Sequence, residues 1–78
     1  MATRYRIWCR TDNVSPGQFL VTVVALPDPP DAPGARVESE SRLLSSQSEA
    51  LEACARMVVA FGDRVRTRGD WVIATESV

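Results

Sequence analysis

Arg4, Arg6, Trp8 and Arg10 share one parity in the opening segment of this chain, and Tyr5, Ile7, Cys9 and Thr11 share the other. In a strand, side chains two residues apart point the same way. The first set is therefore a row of planar cations around an indole, suited to carboxylates, aromatic rings or phosphates. The second set is a core row. Little else in the chain offers comparable chemistry. With no histidine and no lysine, neither an imidazole base nor a Schiff-base amine is at hand. Cys9 and Cys54 lack a histidine to activate them as nucleophiles and lack further ligands to complete a zinc site. Glu38 and Glu40 share a strand face, but Arg36 and Arg42 flank them and read as ion-pair partners rather than acid–base machinery. Ser39, Ser41, Ser45, Ser46 and Ser48 fit strand alternation and helix capping with no base beside them. No base, nucleophile or metal-ligand set is complete, so no catalysis, cofactor or metal is expected.

The chain that must position these groups has 78 residues, room for one domain, since folding at this size removes only about 62% of the unfolded surface. Hydrophobic residues at 45% and charged residues at 24% match an ordinary globular protein. The formal charge is -1, and every cation is an arginine, which excludes the strong global field of a nucleic-acid coating protein. The ends are basic and the middle is acidic. No apolar run approaches the roughly 20 residues of a membrane span, and Met1 to Arg10 lacks the apolar core of a signal peptide. A cytoplasmic location is the expectation.

Alternation predicts a first strand over Arg4 to Thr11, stopped by Asp12 to Gly17 with a Pro-Gly turn. A second strand, Gln18 to Leu26, is apolar on both sides and belongs inside a sheet. Residues 27–34 hold four of the five prolines and form a stiff loop. Its P-x-x-P matches are read as turns. A third strand, Ala35 to Leu43, places Val37, Ser39, Ser41 and Leu43 inward and Arg36, Glu38, Glu40 and Arg42 outward. Ser46 with Glu49 is a capping box. From there Leu51, Cys54, Val58, Phe61 and Val65 make one apolar stripe, widened by Ala50, Ala53, Met57 and Ala60. The helix is expected to run through Gly62 to a C-terminal glycine at Gly69. The competing reading ends it at Gly62 and makes residues 63–67 a short strand. Arg68-Gly69-Asp70 is assigned to the helix-to-strand turn. Trp71 to Thr75 is the last strand, with Trp71, Ile73 and Thr75 opposed to Val72 and Ala74. The fold class is α+β, a two-layer β-β-β-α-β domain with a mostly antiparallel sheet and one long helix on one face. Cys9 and Cys54 both fall on core rows, and buried reduced thiols are the expected state, since a bridge needs Cα atoms within about 7 Å.

The stretch from Phe19 to about Met57 resembles the small α/β domain of HicB-type antitoxins, a partial RNase H-like fold. The strand ending in Leu26-Pro27-Asp28, the Pro/Gly loop, a short strand and the helix opening Ser48-Glu49-Ala50-Leu51-Glu52-Ala53 carry the likeness. In that family the domain binds and masks a small ribonuclease toxin, so the resemblance implies a protein-binding module. The charged third strand and the lack of a glycine before the helix depart from the pattern, and no functional residue carries over.

A sheet with one helix leaves its other face open. That face is expected to display Arg4, Arg6, Trp8 and Arg10 beside Leu20 and Val24, with the Arg/Glu row of the third strand pairing to the arginines. Trp and Arg dominate binding hot spots, and exposed apolar groups among them mark a docking surface. The expected partner is a protein, foremost a second copy of the chain as a homodimer. Single-stranded nucleic acid, with bases stacked on Trp8 and phosphates on the arginines, is the alternative. Glu38 and Glu40 on the same face would oppose it.

Overall fold

In the computed structural model, which describes residues 2–77, the opening alternation builds a longer strand than hydropathy alone marks. β1 spans Arg4–Ser15 and β2 spans Gln18–Pro27. Asp12 and Asn13 stay in the ladder because Leu20 and Phe19 stand opposite them. A register shift between Asn13 and Ser15 leaves Val14 exposed, and Gly17 closes the turn at φ +72°, a conformation that favours glycine. The proline loop begins where the Asp28 N–H donates to the Arg4 carbonyl at 2.8 Å. The Asp28–Pro29 peptide is cis.

The third strand, β3, covers only Glu38–Leu44, so Ala35 to Val37 belong to the loop. Its parity is opposite to the expectation. Thr22 pairs with Ser41, Val24 with Ser39 and Ala25 with Glu38, which places Ser39, Ser41 and Leu43 on the open face. Glu38, Glu40 and Arg42 lie on the helix side. β3 is an edge strand, and its residues from Glu38 to Leu43 are at least partly exposed whichever way they point. Hydropathy therefore could not choose the face; pairing with β2 does.

The helix, α1, spans Gln47–Thr67 without a break at Gly62. Ser46 Oγ accepts from the Glu49 N–H at 3.2 Å, satisfying one free amide of the first turn. The Glu49 carboxylate accepts from Ser45 Oγ at 3.0 Å rather than from the Ser46 amide. At the other end the Asp70 N–H donates to the Val65 carbonyl at 3.1 Å and the Gly69 N–H to the Arg66 carbonyl at 3.0 Å. With Gly69 at φ +92°, this is the paired-bond helix stop that glycine permits. The buried residues of α1 are Ala50, Ala53, Cys54, Met57, Phe61, Gly62 and Val65. Leu51, expected inside, is 58% exposed, and Ala60 is also exposed.

β4, Trp71–Ser77, returns parallel to β1 and gives the order β3-β2-β1-β4. A register shift at Ile73 breaks its alternation, so Val72 stands beside Tyr5 while Ala74 stands beside Arg6. The expected grouping of Trp71, Ile73 and Thr75 on one face is corrected accordingly. Among the described residues, no helix is long and apolar enough to cross a membrane.

Between the layers, Tyr5, Ile7, Cys9, Val21, Val23 and Ala25 of the sheet meet the helix stripe, all buried. Alanines at Ala50 and Ala53 let α1 sit close over β1 and β2. Cys9 and Cys54 are joined in a disulfide, with Cα atoms 6.0 Å apart. The expectation of two reduced thiols is thus overturned, because the layer spacing set by these small residues brings the strand and helix positions within bridging range.

Candidate functional site

Two sheet-parity facts build the open face. On β1 the parity of the opening segment holds: Tyr5, Ile7 and Cys9 are buried beneath α1, while Arg4, Arg6, Trp8 and Arg10 turn away from it. On β2 the same face takes Leu20, Thr22, Val24 and Leu26, since Arg6 pairs with Leu26, Trp8 with Val24, Arg10 with Thr22 and Asp12 with Leu20. Across the sheet, Ser39, Val24, Trp8 and Glu76 form one row, and Leu43, Leu20 and Asp12 another. Thr22 Oγ1 and Ser41 Oγ, 3.3 Å apart, share a hydrogen bond that ties β3 into this surface.

Of the expected site residues, Arg4, Arg6 and Arg10 are exposed, and Trp8 and Leu20 are half-buried. Val24 differs. At 8% exposure it lies opposite Trp8 as a floor beneath the surface and offers a partner little area. A residue the sequence reading left off the face joins it: Trp71, 63% exposed, pairs with Arg4 on β1. Four residues of strand separate that register from Trp8, or about 13 Å. Two indoles thus stand on one face, with Arg4 beside Trp71 and Arg6 between the two registers. The Ile73 bulge decides how β4 presents its side chains, and nothing in the local hydropathy marks it.

The face carries its own anions. Arg6 Nε is 3.3 Å from Asp28 Oδ2 and its Nη1 3.5 Å from Glu76 Oε1, while Arg10 Nε is 2.8 Å from Asp12 Oδ2. The expected pairing to Glu38 and Glu40 does not occur. Each exposed pair contributes about 0–1 kcal/mol, so its main effect is to hold the guanidinium planes in place. Three arginines against Asp12, Asp28 and Glu76 leave the face near neutral. Arg4 makes no ion pair among the described residues, and with Asp28, Pro29 and Pro33 it lines a hollow of about 590 Å³ between the N-terminus and the proline loop.

Glu38 is engaged on the other side of the sheet. Arg68 Nη1 lies 2.7 Å from Glu38 Oε2, its Nε lies 2.8 Å from Asp70 Oδ2, and its guanidinium sits 4.9 Å from the centre of the Tyr5 ring. Asp70 in turn accepts from the Thr3 N–H at 3.0 Å. That backbone bond, and then the Arg68 hydrogen bond, hold the Asp70 carboxyl below the usual carboxylate range. This cluster links β3 and the start of β4 to the helix end.

No protein-family model, curated protein or solved structure matches the chain.

Proposed function

We propose that this chain is a non-catalytic interaction module that receives a protein partner on the open face of its sheet, with Trp8 as anchor. One observation carries the reading: α1 covers a single face, and both Trp8 and Trp71 stand on the uncovered one, with Arg4 beside Trp71 and Arg6 between the two registers. Tryptophan supplies area at low entropic cost and arginine supplies planar donors, the pairing enriched in hot spots. Arg4, Arg6, Arg10 and Leu20 frame Trp8, and Val24 supports it from below. The HicB-type resemblance points the same way, toward a small protein as the bound species. A second copy of the chain is one such species.

Single-stranded nucleic acid is the second reading. Glu38 and Glu40 lie on the helix side and do not oppose it, but Asp12, Asp28 and Glu76 stand beside the arginines and cancel the field that phosphates need. The cytoplasmic location expected of the sequence is weighed against by the Cys9–Cys54 bond, since disulfides persist chiefly in oxidising compartments.

Titration of a fluorescent oligonucleotide at low and high salt, with wild type and Trp8→Ala, separates the readings. The protein-binding module gives flat curves. Salt-dependent binding that Trp8→Ala abolishes establishes the nucleic-acid reading instead.

A further inference from the structure

The outer surface of α1 carries apolar side chains where a solvated helix face should be polar. Val59 is 62% exposed and points directly away from the sheet, and Leu51, at 58%, lies on the flank toward β4 with Ala55. Glu52, Ala55, Val59, Gly62 and Arg66 recur at spacings of three and four, the pattern of a seam between two helices. Gly62 weakens a helix interior; it is buried beneath the Arg66 guanidinium, whose end a side chain at Gly62 would meet at 3.0 Å. That cover is a flexible side chain, which can swing aside.

The charges around this seam are self-complementary. Glu52 lies seven residues before Val59 and Arg66 seven after, while Arg56 lies three before and Asp63 four after. Turned end for end about Val59, the helix sets Glu52 against Arg66 and Arg56 against Asp63, each twice. Among the described residues of the single subunit these four groups pair within the helix, Arg56 with Glu52 and Arg66 with Asp63, in exposed bridges of small worth. We propose that α1 is the contact between two copies of this chain, packed antiparallel about a two-fold axis at Val59, on the side of the molecule opposite the open sheet face. The occupant is a second copy because an isologous contact requires the same patch to complement itself, and this order of charges does so. With Arg66 swung out to Glu52 of the second copy, Gly62 is uncovered to face Ala55 across the axis, and the two bring the helices to the close end of the usual spacing of about 8–10 Å. A contact of one helix per copy is at the small end of interface sizes, the class of weak and transient association, for which a dissociation constant in the range of about 10–100 µM is expected.

Sedimentation equilibrium on the oxidised full chain tests this, run from about 10 µM to 1 mM to bracket that range. Wild type should rise from the 8.6 kDa monomer toward twice that mass. Arg56→Glu and Asp63→Arg should each weaken the dimer by about tenfold or more through like-charge contacts. The double variant Arg56→Glu/Asp63→Arg should recover wild-type association, because the exchanged charges again meet opposites across the axis; recovery also proves that the variant chains fold. Val59→Lys should remain monomeric. A wild type that stays monomeric at the highest concentration overturns the proposal. So does a double variant no better than the singles, or a dimer indifferent to all four variants but lost in Trp8→Ala. That last result would place the copies on the sheet face.

Discussion

Arg68 Nη1 reaches Glu38 Oε2 at 2.7 Å across the ring of Tyr5, so the residue that caps the helix also holds the far edge strand. Both side chains are partly sheltered, and solvent screening still limits the pair. A double-mutant cycle with Arg68→Ala and Glu38→Gln should give a coupling of about 1 kcal/mol in urea unfolding. Arg68→Ala alone should cost somewhat more, because it also gives up the contact with the Tyr5 ring. Glu40→Gln, whose carboxylate makes no such bond among the described residues, should change nothing; an equal loss there would assign the effect to general charge.

Asp70 makes stability depend on pH. Its folded carboxyl titrates lower than the unfolded one, first because the Thr3 N–H bonds the charged form and then because Arg68 does. A depressed carboxyl contributes stability that is complete above its unfolded pKa and is lost as pH falls through its folded value. Urea midpoints followed down through the carboxylate range should therefore drop more steeply for wild type than for Asp70→Asn. Parallel curves would remove Asp70 from the acid response.

The Cys9–Cys54 bond closes a loop with a sequence separation of 45, for which chain entropy predicts about 4 kcal/mol and typical measurements give about 2–4. Reduction with a water-soluble phosphine should lower Tm by about 10–20 °C in a domain of this size. A melting point unchanged by reduction would mean that the thiols are not bonded in solution.

Phe61, 2% exposed, is the largest side chain fully enclosed between the layers. Phe61→Ala should destabilise the fold by about 3–5 kcal/mol, read as a lower urea midpoint. A loss below about 1 kcal/mol would place Phe61 at a surface.

Much of this architecture was legible in the sequence, and the failures share a cause. The parity of β1 could be read because one of its faces is buried from Tyr5 to Cys9, so Ile7 and Cys9 had to oppose Trp8 and Arg10. The helix start at Ser46 and the stop at Gly69 were legible from local backbone chemistry. β3 was misread because an edge strand beyond the helix is wet on both sides, and alternation there reports no burial. Its face follows from pairing Thr22 with Ser41 and from Arg68 gripping Glu38, contacts between distant residues. Trp71 was missed as a member of the site for the same kind of reason: its place beside Arg4 follows from a parallel register and a bulge at Ile73. The disulfide depends on a layer spacing that no local pattern expresses.

The open sheet face is tested most directly by affinity capture from native-host extract, with wild type, Trp8→Ala and Val59→Lys as equally folded baits. The expected result is a protein retained by wild type and by Val59→Lys, and reduced about tenfold or more by Trp8→Ala. A partner held equally by Trp8→Ala and wild type would contradict the assignment of the Arg/Trp face as the binding surface.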